Sequence, residues 1–163
     1  MVGIAATKRC RRDNGKKGVR KLAVRILLAD DHEVMREGLH ALLFRDGNFD
    51  VVANAANGDQ AVAEAQRCMP DVVIMDINMP GKNGIEAARE ILDLLPDIKI
   101  LCLSMHRNSM CVRAAFEAGA SGYLLKDCAV AEIATAIHTI MKGEKYLGDG
   151  LAAILDDMNG GNE

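Results

Sequence analysis

Apolar and polar positions alternate in blocks along this chain, and each block has a recognisable period. Val24 to Leu28 is a short apolar run, halted by Ala29-Asp30-Asp31. Val34, Leu39, Leu42 and Leu43 then recur near helical spacing, until Arg45-Asp46-Gly47-Asn48 supplies turn chemistry. Phe49 to Ala55 reads as a strand. An alanine-rich helix follows from Asn57-Gly58-Asp59 to about Cys68, broken by Pro70. Asp71 to Met75 is a continuous apolar run ending at Asp76, and Met79 to Gly84 is a loop. The third helix covers Ile85 to Leu95, the fourth strand Lys99 to Leu103 with Ser104 at its end, and the fourth helix Ser109 to Ala118. Gly122 to Leu125 is the fifth strand, followed by Lys126. The fifth helix runs from Ala129 to about Lys142, where Gly143 stops it.

Five strand–helix units in succession predict an α/β fold. Strands without polar alternation are buried on both faces, as in a parallel sheet covered by helices. The domain is expected over residues 22–143. Residues 144–163 form a trailing linker segment, in which Leu147, Leu151, Ile154 and Leu155 are spaced for a short final helix packing on the domain.

Composition narrows the class. The chain has 163 residues, half of them apolar, and no apolar run long enough to cross a bilayer. Its start is basic but lacks the apolar stretch of a secretory signal, so a cytoplasmic protein is expected. Five cysteines, with no C-x-x-C pair, read as free thiols rather than a disulfide framework or a zinc site. The net charge of −3 hides a split: residues 1–21 carry eight basic residues and one acid, and the remainder 12 basic and 22 acidic residues. That is a basic, disordered tail on an acidic domain. The tail either touches nucleic acid or an acidic partner, or is a solvated extension.

The polar residues that matter share one position. Asp30 and Asp31 follow the first strand, Asp76 the third, Ser104 the fourth and Lys126 the fifth. In an open α/β sheet, ligands bind beyond the carboxyl ends of the strands. Singly, each residue has a duller role as a helix cap, turn residue or solvated lysine. Together they make an anion-accepting pocket around a carboxylate. Crowded carboxylates repel one another, and a hard divalent cation such as Mg²⁺ relieves the conflict. An Asp so placed suits nucleophilic attack on phosphorus.

At these residues the chain resembles the receiver domain of bacterial two-component response regulators, over roughly residues 24–143. The segments that carry the likeness are RILLADDHEVMREGL, PDVVIMDINMPGKNGIEAAR, KILCLSMH and AGASGYLLKD. The Asp-Asp-His-Glu run and Ser-Met-His after the fourth strand are similar to the NarL/FixJ-type subgroup. The resemblance implies a (βα)5 flavodoxin-like, doubly wound parallel sheet of strand order 2-1-3-4-5. It implies Asp76 as phosphoacceptor, with Asp30, Asp31, Asp76 and the backbone carbonyl of Asn78 as ligands to Mg²⁺. Ser104 and Lys126 would bind the phosphoryl group, and Tyr123 would be the aromatic switch.

Further expectations follow from the likeness. A sensor histidine kinase would be the phosphodonor. Output would be a protein contact, including a homodimer through the fourth helix, fifth strand and fifth helix, or through the first and fifth helices. Asp127 stands where many receivers have a proline with a cis bond, Met105 is bulkier than the residue usual there, and His106 reads as an ordinary exposed loop residue, with tuning of the phosphate's lifetime as the alternative. The subgroup's helix-turn-helix output module is expected to be missing, so DNA binding is not expected from this chain alone. The alternative is a fragment of a DNA-binding transcriptional regulator. An enzyme is not expected: Asp76-Ile77-Asn78 only partly resembles the paired-Asp motif of haloacid dehalogenase-type phosphatases, since Asn78 stands where their acid/base Asp belongs.

Overall fold

A computed structural model describes residues 22–159; the basic segment 1–21 and the last four residues lie outside it. The chain order is β1 (Val24–Ala29), α1 (Glu33–Asp46), β2 (Phe49–Ala55), α2 (Gly58–Cys68), β3 (Val72–Asp76) and α3 (Gly84–Leu94). It continues with β4 (Lys99–Ser104), α4 (Ser109–Glu117), β5 (Gly122–Leu125), a 3-10 turn (Lys126–Cys128), α5 (Ala129–Met141), β6 (Tyr146–Leu147) and α6 (Ala152–Asn159). The strands form one sheet in the order β2-β1-β3-β4-β5-β6, with every pairing parallel. This is the expected flavodoxin-like winding plus a sixth strand. That strand is two residues long, too short to register as a periodic pattern.

The period of two along each strand divides the core into two layers. Leu27, Val73, Met75, Ile100, Cys102 and Tyr123 face α2, α3 and α4. Their neighbours Ile26, Leu28, Ile74, Leu101, Leu103 and Leu124 face α1 and α5, meeting Leu39, Leu43, Ile133 and Ile137. Each of these side chains is 3% exposed or less. Truncating one to Ala costs about 2–5 kcal/mol by lost transfer energy and the cavity left behind.

Local chemistry starts and stops the helices. Asn57, Asn83 and Asn108 are N-caps, their side-chain oxygens accepting from Gln60 N–H, from Ile85 and Glu86 N–H, and from Met110 N–H. Helix α2 ends at Met69, which takes a left-handed conformation (φ 49°) just before Pro70. The described residues contain no cis peptide bond, so Lys126–Asp127 is trans.

The segment after α5 packs on the domain. Tyr146 N–H donates to Ser121 O (3.0 Å) and Gly148 N–H to Tyr123 O (2.9 Å), which seats β6 on the edge of β5. Leu151 is fully buried, and Leu147 and Ile154 pack against the same core layer. Of the four residues spaced for a short final helix, only Ile154 and Leu155 fall in α6; Leu147 lies in β6, and Leu151 precedes the helix. Glu132 of α5 holds this segment: its Oε1 accepts from the Tyr146 hydroxyl (2.8 Å) and Asp149 N–H (2.9 Å). Burial, and the hydrogen bond to Glu132, push the Tyr146 phenol up to about 12.

Candidate functional site

The winding reverses between β1 and β3. After β1 the chain crosses to β2 on one side; after β3 it crosses to β4 on the other. Ala29 pairs with Met75 in the β1–β3 register, so the next residues, Asp30 and Asp76, leave the sheet side by side at the switch point. Asp30 is 2% and Asp76 1% exposed. Lys126 follows β5, two strands from β3, and only its long side chain spans the gap. Its Nζ lies 2.9 Å from Asp30 Oδ2 and 3.0 Å from Asp76 Oδ2. Both are ion-pair contacts, and Lys126 is the one donor that reaches either oxygen. Asp30 Oδ1 accepts from His32 N–H (2.8 Å), and Asp76 Oδ1 accepts from Asn78 N–H (3.0 Å).

One cation between two buried carboxylates leaves the pair unequal. Burial pushes the Asp76 carboxyl up to about 6, and the neighbouring Asp30 charge adds to the rise against the pull of Lys126. Burial also pushes Asp30 up, but the His32 N–H and Lys126 outweigh it and hold Asp30 below the usual carboxylate range. Lys126 loses hydration on burial, yet both carboxylates raise its pKa.

The loop after Asp76 depends on a glycine. A Cβ on Gly84 would lie 2.1 Å from the Asp76 carbonyl oxygen, so only Gly lets α3 start against the backbone of Asp76. Lys82 ties the same loop to its surroundings through Asp59 (3.1 Å) and Glu90.

The other anticipated residues fall into two groups. Asp31 joins the cluster from the outer side, its carboxylate partly exposed. Ser104 is fully buried at the end of β4, and its Oγ accepts from His106 N–H (3.0 Å). Tyr123 is also fully buried, its hydroxyl donating to His106 O (3.2 Å), and burial pushes its phenol up to about 12. Ser104 and Tyr123 thus meet at the main chain of His106, in the turn that leads into α4. The His106 side chain is exposed, and Met105 is 58% exposed.

One residue of the cluster had no site role assigned from sequence. His32 Nδ1 lies 3.0 Å from Asp30 Oδ1, 3.2 Å from Asp31 Oδ1 and 3.5 Å from Lys126 Nζ. Asp30, Asp31, His32 and Asp76 each offer a ligand atom within 4.8 Å of the others. The signal was adjacency: a histidine directly after the acidic pair lies next to any ion the pair would hold. The donor set fits a cation, because it combines oxygen ligands, buried charge short of hydrogen bonds and a solvent-open side.

Beside this rim a groove of about 670 Å³ runs between α1 and α5, lined by Val34, Met35, Leu42, Met105, Lys126 and Val130 among others. Val34 and Val130 are 83% and 69% exposed. No helix among the described residues is long and apolar enough to cross a membrane.

Comparison with known proteins gives the same direction. A profile of the response regulator receiver domain matches residues 26–138. The transcriptional regulatory protein DegU of Brevibacillus brevis is 39% identical over 76% of this chain and 52% of its own length. The transcriptional regulatory protein LnrK of Bacillus subtilis (strain 168) is 41% identical over 80% of this chain and 59% of its own. This chain therefore spans little more than half of those relatives. Among solved structures, a two-component response regulator of the LuxR family from Aurantimonas sp. SI85-9A1 superposes with a TM-score of 0.80 at 38% identity, covering 84% of this chain and 98% of that one.

Proposed function

Because the chain belongs to the response regulator receiver family, we propose that its acidic rim accepts a phosphoryl group on Asp76 and passes the event on as a change of protein contacts. The observation that carries this reading is the Lys126 bridge. It holds Asp76 beside Asp30 while three carboxylates face one lysine, a deficit of positive charge that a divalent cation would fill before an anionic phosphoryl group arrives.

Asp30, Asp31, Asp76 and the carbonyl of Asn78 would hold Mg²⁺, which supplies charge neutralisation for the phosphoryl oxygens. The protein's own groups do the rest. A carboxylate oxygen of Asp76 attacks phosphorus, the phosphorus–nitrogen bond of a phosphohistidine donor breaks, and an acyl phosphate results. The leaving imidazole takes a proton from solvent. Lys126 moves from bridging two carboxylates to pairing with a phosphoryl oxygen. Burial excludes competing water from Asp76 and strengthens each of these charge contacts.

Ser104 couples the site to the surface. Its Oγ accepts from His106 N–H, and its own proton can be donated to the phosphoryl group. Movement of the hydroxyl toward that group would pull on the His106 turn, where Tyr123 is also anchored. The face of α4, β5 and α5 is then the surface that changes, with self-association through it or through α1 and α5 as the output. The α1–α5 groove beside Lys126 is the surface on which a sensor kinase presenting its phosphohistidine would dock. Apolar residues line the groove, and they end beside the acceptor. As in other cases, the phosphoryl group shifts populations only through its unequal affinity for the two arrangements.

Incubation with a small phosphodonor and Mg²⁺ is expected to add one phosphoryl mass to the intact chain, localised to Asp76 by peptide mapping. Asp76→Asn should show none. Equal labelling of Asp76→Asn and the parent chain would remove this reading.

A further inference from the structure

The imidazole of His32 has a position that the phosphoacceptor reading does not use. It is 66% exposed, yet its Nδ1 reaches inward to two carboxylate oxygens on different residues. A ligand pair in cis positions around a metal at ~2.05 Å is separated by about 2.9 Å in an octahedron and about 3.4 Å in a tetrahedron. The His32–Asp30 and His32–Asp31 spacings of 3.0 and 3.2 Å lie between these values; the first is a hydrogen bond, in which an incoming metal would take the place of the shared proton. The largest separation among the four candidate ligand atoms is no more than 4.8 Å. A trans pair in an octahedron needs about 4.1 Å. The difference is within reach of small rotations of the two outer side chains, His32 and Asp31.

A second observation points the same way. Asp30 Oδ2 and Asp76 Oδ2 are buried and share a single ammonium, Lys126 Nζ, at 2.9 and 3.0 Å, while the nearby Arg36 guanidinium is taken by the Asp30 backbone carbonyl. Three carboxylates against one lysine leave negative charge that a divalent ion would neutralise. The exposed sides of Asp31 and His32 give that ion a path from solvent.

We propose that His32 turns this rim into a site for a transition-metal ion of the Zn²⁺, Ni²⁺ or Co²⁺ class, bound by His32 Nδ1 with carboxylate oxygens of Asp30, Asp31 and Asp76, in competition with Mg²⁺. Oxygen donors alone suit Mg²⁺, which binds imidazole poorly; one added nitrogen favours the later first-row metals. The two ions share the three carboxylates, so they exclude each other. Occupancy by the softer ion would engage the Asp76 carboxylate that a phosphodonor must reach. The phosphoryl switch would then respond to transition-metal exposure as well as to its kinase. This inference rests on the phosphoacceptor reading for its consequence, but not for the metal site itself.

Co²⁺ titration of the full chain tests it, read by proton NMR. The wild type should show a strongly shifted imidazole resonance on binding, displaced by excess Mg²⁺. His32→Gln should lose that resonance and weaken Co²⁺ binding at least about tenfold, with a far smaller change in Mg²⁺ affinity. Asp31→Asn should weaken both ions. His32 is exposed, so the Gln variant should fold, as circular dichroism would verify. Unchanged Co²⁺ affinity in His32→Gln overturns the proposal. So does a shifted resonance that survives the substitution. So does Co²⁺ binding indifferent to Asp31→Asn, which would place the ion elsewhere, for example on the free thiols of Cys68, Cys111 or Cys128. If Co²⁺ binds through His32 but Asp76 takes no phosphoryl group, the metal site stands and the phosphoacceptor reading falls. Normal labelling with no role for His32 in Co²⁺ binding gives the reverse.

Discussion

Buried carboxylates occur in two regions of this domain, and the protein treats them differently. At the switch point, Asp30 and Asp76 converge on a single lysine, the one donor that reaches two of their oxygens. At the β6 edge, Glu132 has one oxygen without a donor, Oε2, but no second buried carboxylate crowds it, and its Oε1 accepts from two neutral donors, the Tyr146 hydroxyl and Asp149 N–H. The second arrangement fastens a segment of chain. The first holds charge in reserve, with a solvent-open side where a ligand can supply what the protein withholds. A buried acid is a candidate for chemistry when its neighbours share its sign and its partner is outnumbered.

Substituting the partner of each site separates them most sharply. Lys126→Met should destabilise the metal-free domain by about 3–5 kcal/mol, because two carboxylates stay buried without their cation. Added Mg²⁺ should recover much of that loss, as thermal unfolding with and without the ion would show. No recovery would mean that Lys126 matters for packing and not for charge.

The pH dependence comes next. Asp76 titrates near 6 in the fold against 3.8 in a model peptide, so between about pH 4 and 6 the native state holds a proton that the unfolded chain has released. Stability of the metal-free protein should fall as pH rises through that window, by roughly 3 kcal/mol at most. Asp30, held low, acts in the opposite sense: its contribution is present above about pH 4 and is lost as pH falls further. Asp76→Asn should flatten the fall between pH 4 and 6 in urea unfolding. Mg²⁺ affinity in the parent should rise over the same interval, because the ion competes with the proton.

The Glu132 region should respond without any such ion effect. Glu132→Ala leaves the Tyr146 hydroxyl and Asp149 N–H without their acceptor, at a cost of about 2 kcal/mol. Phosphoryl labelling of Asp76 should persist. Tyr146→Phe removes one hydrogen bond and should cost about 1 kcal/mol. Faster hydrogen exchange confined to residues 146–155 would show that the lost contact fastens β6 and α6. A change in Mg²⁺ affinity from either substitution would show that the two regions are coupled.

Much of the fold was legible because parallel strands and their covering helices each carry a period. The placement of Asp30, Asp76, Ser104 and Lys126 at strand ends could be read directly, since each follows an apolar run. The basic segment 1–21 lies outside the described residues, and so does the expectation attached to it. The sixth strand was not legible, because two residues show no period and pairing comes from the exposed edge of β5. Glu132 gave no signal either, as a glutamate in an amphipathic helix reads as solvated.

Sequence alone determined which elements form, their order, and which residues stand at the carboxyl rim, because those properties depend on neighbours along the chain. Only the tertiary structure decided that Lys126 spans β4 to reach both aspartates, that His32 turns inward, and that Asp76 and Asp30 shift in opposite directions. Those outcomes depend on register between distant strands and on how deeply each charge is buried. Neither is written in any local pattern.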